Sequence, residues 1–152
     1  MEERVHQTMA ETNRAIMQWF NGSLPDTDEG FAAVSRYCHP DMTYVFPSGG
    51  VQNASSFLTD LRSVHGTNPL FKLATLRAHT KLLFEDAALV AAEIVELQDG
   101  AKFGPRPRHA RRTTILCLKD QDGPHGLLIS RLHESYLSEA EEAGLDWAAL
   151  DA

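Results

Sequence analysis

The segment GLLISRLHESYL, residues 126–137, alternates apolar and charged positions over its second half, the period-two pattern of a strand with one buried face. As a strand it places Arg131, His133 and Ser135 on one side and Leu132, Glu134 and Tyr136 on the other. An arginine, a histidine and a glutamate so close together have three readings: a reaction centre, a dimer contact or ordinary strand surface. Working outward, the same period holds in residues 108–119, 88–97 and 70–84, joined by DQDGPH, QDGAKFGPRP and EDA, whose acids and glycines are hairpin signals.

Ahead of residue 66 the period is that of a helix. Residues 2–21 read as an amphipathic helix on Val5, Met9, Thr12, Ile16, Trp19 and Phe20, ended by Gly22 and Pro25. Asp28 is expected to cap a second helix with Phe31, Val34 and Cys38 on its buried stripe, closed by HPD at 39–41. MTYVF (42–46) reads as a short strand and PSGG as a turn, after which Asn53 caps a third helix carrying Phe57, Leu61 and Val64 up to Gly66. In the tail, Ser138 is a cap followed by acids, and Leu145, Trp147 and Leu150 form an apolar edge that must dock. The order implies an α+β fold with three N-terminal helices on one face of a curved, mostly antiparallel sheet and a short C-terminal helix. We expect one domain over 1–152, with 137–152 as its helical tail.

Composition narrows the function. A chain of 152 residues suits one core, and a net charge of −7 argues against binding nucleic acid or an anionic membrane. The basic string RPRHARR, with Arg106, Arg108, Arg111 and Arg112, lacks interleaved aromatics and reads as a solvated hairpin arm or partner contact. The longest apolar run, Ala87 to Ala92, is too short to span a membrane. The N-terminal stretch lacks the apolar block of a signal peptide, so a cytoplasmic location is expected. Cys38 and Cys117 are expected as reduced thiols. No HExxH, HxH, paired-cysteine, phosphate-loop or dinucleotide pattern occurs, so no metal and no cofactor are expected.

Four strings, HPDMTYVFPSGG, FEDAALVAAEIVELQDG, KDQDG and LLISRLHESY, resemble the nuclear transport factor 2-like superfamily over residues 5–137. That group includes SnoaL-like proteins, ketosteroid isomerases and the association domain of calcium/calmodulin-dependent kinase. The resemblance implies a cone-shaped α/β roll, its bent sheet wrapped around the long helix, with a pocket in its mouth. Ketosteroid isomerases carry their aspartate base just before the proline of the turn ending the first strand. Here Phe46 stands at that place, and a phenyl ring abstracts no proton, so isomerase chemistry of that kind is disfavoured and catalysis stays open.

Taken together, the even positions of the four strands are the more apolar, which predicts that they face the helices and pocket. Arg112 and Glu134 would then project into the cavity, while Arg131 and His133 face outward. There, with Glu93 and Arg111, they would meet a second copy in a homodimer. The candidate catalytic residues are Glu134 and His133, and the candidate pocket residues are Trp19, Tyr44, Phe46, Arg112, Leu132 and Tyr136. Three functions follow. The preferred one is a SnoaL-like cone that binds a small apolar molecule. The second is a cyclase, dehydratase or hydrolase using Glu134 or His133 as acid/base, with Tyr44 or Arg112 stabilising an oxyanion. The third is an assembly module with a filled core.

Overall fold

The computed structural model describes residues 1–152. Chain order is α1 (Glu2–Phe20), α2 (Asp28–Ser35), β1 (Cys38–Val45), β2 (Val51–Asn53), α3 (Ala54–Arg62), β3 (Lys72–Glu85), β4 (Leu89–Asp99), β5 (His109–Lys119), β6 (Leu127–Tyr136), α4 (Glu139–Glu142) and a final helical turn, Trp147–Asp151. The six strands form one sheet in the order β2-β1-β6-β5-β4-β3. Strands β1 and β6 run parallel, and every other neighbouring pair is antiparallel. The expected α+β architecture is present, with one short extra strand, β2.

Local chemistry explains where elements begin and end. Asn53 caps α3, accepting the Ser56 N–H at 2.9 Å, and Ser138 forms a capping box with Glu141, both as expected. The cap of α2 is Thr27, which accepts the Gly30 N–H at 3.0 Å, one residue ahead of the expected Asp28. Helix α2 stops at Ser35, so Cys38 lies in β1 and not on the α2 stripe. The HPD string is therefore inside a strand. Pro40 brings no N–H to the ladder, and the β1–β6 pairing slips between Cys38 and Thr43. At the far end of α1, the orphan carbonyls of Trp19 and Phe20 accept the N–H groups of Gly66 (3.0 Å) and Asn68 (2.9 Å). Gly22 and Gly66 both have positive φ, and a Cβ on Gly22 would stand 3.4 Å from the Gly66 Cα, so the crossing needs two small residues.

The register corrects the expectation about faces. In β4 the even residues Val90, Ala92 and Ile94 point inward, but they sit opposite Cys117, Ile115 and Thr113. Even therefore meets odd across this hairpin, because its paired residue numbers add to an odd total. In β6, Leu127 and Ile129 point inward before a slip opposite Leu116/Cys117, and Leu132 and Glu134 do so after it. That slip is a bulge holding one extra residue, and it exchanges the inward parity within β6.

Two layers enclose this sheet. On the inner side Val5 and Met9 of α1 pack with Ile94, Ile115, Leu127 and Ile129. On the outer side Leu76, Val95, Leu97, Ala110 and Leu137 are covered by Leu145, Trp147 and Leu150 of the tail. The basic arm clasps this tail: Arg106 pairs with Glu139 and Glu142, and the Arg108 guanidinium lies 4.7 Å from the Trp147 ring centroid. Deleting residues 144–152 is expected to lower stability by about 3 kcal/mol and to create dye-binding apolar surface. Urea titration and ANS fluorescence read both, and an unchanged midpoint would mean the tail is passive.

One buried group lacks a partner. Both His6 ring nitrogens are buried without a hydrogen bond of good geometry, and burial, followed by the Arg77 charge, pushes the His6 pKa down against the weaker pull of the nearby Thr75 backbone and Glu3. Above the unfolded-state pKa of about 6.5 the ring is neutral in both states and its cost is that of a buried polar group without a partner. As pH falls below that value the unfolded chain takes up a proton the fold resists, and stability falls further. His6→Leu should therefore raise stability by about 1 kcal/mol at neutral pH. It should also blunt the acid-side loss seen in thermal melts between about pH 6.5 and 5.

Candidate functional site

A cavity of about 300 Å³ opens between the inner sheet face, α1 and α3. Its walls are mostly apolar, with Met9, Ile16, Phe57, Leu61, Ile129 and Leu132 among them. Its mouth carries residues from three loops: Phe46 and Pro47 of the β1–β2 turn, Thr67 before β3, and Lys102 and Phe103 between β4 and β5.

Polar side chains converge on the inner sheet wall because the register stacks them in a row. Glu134 lies opposite Thr113, and Arg111, one inward position along β5, lies opposite Glu96. The parallel neighbour β1 supplies Tyr44. Arg111 bridges the two acids, with Nε donating to Glu96 Oε2 at 2.9 Å and Nη1 to Glu134 Oε2 at 2.9 Å. The Gln98 amide, with its oxygen turned to the guanidinium, accepts from Arg111 Nη1 at 2.8 Å. Glu96 is further held by Thr113 Oγ1 at 2.5 Å and by Asn13 of α1, which also donates to Thr75 at 2.9 Å. Tyr44 donates its hydroxyl to Glu134 Oε2 at 2.5 Å.

The two carboxylates differ. Glu96 is 0% exposed, and both its oxygens are bonded. Glu134 is 3% exposed and receives both its hydrogen bonds at Oε2. Its Oε1 has no protein partner and is not sealed off from the cavity space.

Electrostatics sharpens this difference. Burial pushes the Glu134 pKa up to about 7, and repulsion from Glu96 adds to it, against the lowering pull of Arg111 and of the Tyr44 hydrogen bond. Burial also raises the Tyr44 phenol, with the Glu134 charge second. For Arg111, burial opposes the charge, but Glu134 and Glu96 outweigh it and keep the guanidinium ionised. His109 lines the same wall, with Nδ1 2.7 Å from the Arg106 carbonyl. Desolvation lowers its pKa, which favours the neutral ring. Cys38 also reaches the cavity, but burial pushes its thiol up to about 12, so it is no ready nucleophile.

Of the residues expected from sequence, Tyr44, Phe46, Leu132, Glu134 and Tyr136 line the cavity. Three are elsewhere. Trp19 is wholly buried behind the wall, donating its indole N–H to the Leu61 carbonyl at 2.8 Å, while Met9, Thr12, Asn13, Ile16 and Phe20 are the α1 side chains that reach the cavity. Arg112 lies on the outer face with Glu93 and Glu141, each 3.4 Å away. His133 is exposed, and its strand neighbours Leu132 and Glu134 take the inner side, so it does not reach the cavity. Arg111, expected on the outer face, takes the place foreseen for Arg112. Glu96, Gln98, His109 and Asn13 were also missed. The odd-sum hairpin register is the signal that would have found Glu96 and Arg111 together.

The long helix α1 packs on the inner face of a six-stranded mixed sheet with a cavity beside it, the fold shared by solved structures of nuclear transport factor 2-like proteins. Solved structures support that fold. An NTF-2-like protein of unknown function from Pseudomonas aeruginosa superposes with a TM-score of 0.75 at 21% identity, covering 89% of this chain and 99% of its own. The CaMKII hub of S. rosetta gives 0.67 at 16% identity, with 89% and 95% covered. A protein with a cystatin-like fold from Caulobacter vibrioides gives 0.64 at 16%, with 92% of each chain covered. No family model matches the chain, and no curated protein matches it. No helix is long and apolar enough to cross a membrane.

Proposed function

We propose that this protein binds a small, largely apolar organic molecule in its cone cavity, oriented by Tyr44, Glu134 and Arg111. One observation carries the proposal: the cavity holds about 300 Å³ of space, and the unpartnered Oε1 of Glu134 adjoins it. An apolar enclosure with a few convergent polar groups is the usual build of a ligand site. An assembly module with a filled core would not need such space, although self-association through the outer sheet face is compatible with ligand binding.

Leu132→Trp, which fills the cavity from its wall, provides the test. A panel of small aromatic and alicyclic compounds should raise the melting temperature of the wild type and leave this variant unmoved. Equal shifts in both proteins, or none in either, would remove the proposal.

A second reading is favoured by the raised Glu134 pKa of about 7. A carboxyl that exchanges its proton near neutrality, beside a guanidinium and a phenol, is suited to general acid/base work on a bound substrate. This reading keeps Glu134 from the expected pair and sets His133 aside. Tyr44→Phe removes a hydrogen bond that favours the charged form, so the Glu134 titration should move higher still, by on the order of one pH unit. Carbon-detected NMR of the side-chain carboxyl measures this shift, and a Glu134 that titrates as an exposed glutamate would end the acid/base reading.

A further inference from the structure

We infer that the cavity selects a ligand carrying a protonated amine on an apolar body, with Glu134 Oε1 as the acceptor of the ammonium group. The inference rests on the binding proposed above and adds the chemical class of the ligand. Its first ground is charge. The polar wall holds two carboxylates, Glu96 and Glu134, against one guanidinium, Arg111, so the cluster carries one net negative charge when all three are ionised. A buried excess charge is costly, and it is relieved by taking up a proton or by pairing with a cation.

The second ground is geometry. Arg111 is engaged by both acids and by Gln98, so it has little left to offer an anionic ligand. Glu96 is closed off by Arg111, Thr113 and Asn13. The carboxylate oxygen left open is Oε1 of Glu134, a side chain that is 3% exposed. The His109 Nε2 on the same wall is an uncharged acceptor and offers a cation no counter-charge.

The surroundings suit a cation. Tyr44 stands between Phe46 and Phe57, with ring centroids 4.2 and 5.0 Å away, so aromatic surface adjoins the acid. The other titratable groups around the cavity are few. His109 on β5 is held toward its neutral form by burial, and Cys38 on β1 keeps its proton. Lys102 is the one lysine at the mouth; its ammonium is turned to the Thr67 carbonyl and exposed to solvent. The cavity-lining side chains of α1 and α3 bring no ionisable group.

The inference predicts linkage. An ammonium ligand needs Glu134 ionised, so binding expels the proton that the free site holds below about pH 7. Affinity should therefore rise about tenfold between roughly pH 6 and pH 8. An anionic ligand would behave in the opposite sense.

Isothermal titration calorimetry with phenethylamine, phenethyl alcohol and phenylacetate decides the matter. We expect phenethylamine to bind tightest at pH 8, with the stated pH dependence and with proton release revealed by changing the buffer. Glu134→Gln should abolish both the preference and the pH dependence. A flat pH profile, or an amine that binds no better than the alcohol, overturns the inference and leaves the binding proposal standing. Preference for phenylacetate overturns it in favour of recognition by Arg111. If none of the three binds the wild type, the inference falls together with the proposal beneath it.

Discussion

Arg111→Met should be the most damaging single substitution in this protein, lowering stability by about 4 kcal/mol at pH 7.5. The guanidinium bonds two acids that are almost wholly buried, and its removal leaves both carboxylates without their counter-charge in an apolar wall. Methionine keeps much of the volume, so the loss reports charge and hydrogen bonding more than packing. The loss should shrink at pH 5, where Glu134 is protonated in the folded state. Adding Glu96→Gln and Glu134→Gln to Arg111→Met should restore most of the stability, since a buried charge cluster replaced as a unit is often nearly neutral. Urea unfolding of the single and triple variants checks this. A loss below about 1 kcal/mol for Arg111→Met would show that the acids do not depend on it.

Glu134→Gln should change how stability depends on pH. The folded-state pKa of about 7 lies above the ordinary value of 4.5. Below pH 4.5 both the folded and unfolded chains hold the proton, so the carboxyl is then neutral in both states. Between pH 4.5 and 7 the unfolded chain releases a proton that the fold retains, so the contribution of this group falls as pH rises. Above about pH 8 both states are ionised, and a penalty on the order of 3 kcal/mol remains. The stability of Glu134→Gln minus that of the wild type should thus climb from pH 5 to about 8 and then level off. The difference also cancels titrations the two proteins share, such as that of His6. A difference that is constant with pH would mean that Glu134 is ionised throughout.

The fold was legible because its signals are local. The three- and four-residue spacing from Val5 to Phe20, the caps at Asn53 and Ser138, and the acidic glycine turns act over a few residues, and each held in the structure. Exceptions came where one local rule outranked another. Thr27 took the cap from Asp28, and Pro40 was accommodated in a slipped strand instead of ending a helix.

The site was legible only in part, because inward facing depends on pairing between strands. Leu132, Glu134 and Tyr136 were found from an apolar parity that happens to hold after the β6 bulge, and Tyr44 and Phe46 from the apolar MTYVF strand at the turn where an isomerase would carry its base. Arg111 and Arg112 are adjacent in a basic string, and nothing within that string says which one turns inward. The hairpin register to β4 decides it, placing Arg111 beside Glu96. Trp19 was misplaced for a related reason: a helical stripe identifies a buried side chain without saying whether core or cavity lies against it.

The bulge in β6 bears on how this protein should be aligned with other cone proteins. Ile129 faces Cys117 and Leu132 faces Ile115, so two residues on β6 span what one residue, Leu116, spans on β5. Arg131 is matched to Leu116, which leaves Ser130 as the extra residue. Removing Ser130 would straighten the strand yet keep Leu132 and Glu134 pointing inward. A relative with a straight final strand must therefore be aligned with a gap at Ser130. Without that gap, every position from Leu132 onward is matched one residue out of step, and the acid that faces the cavity is compared with residues that face solvent.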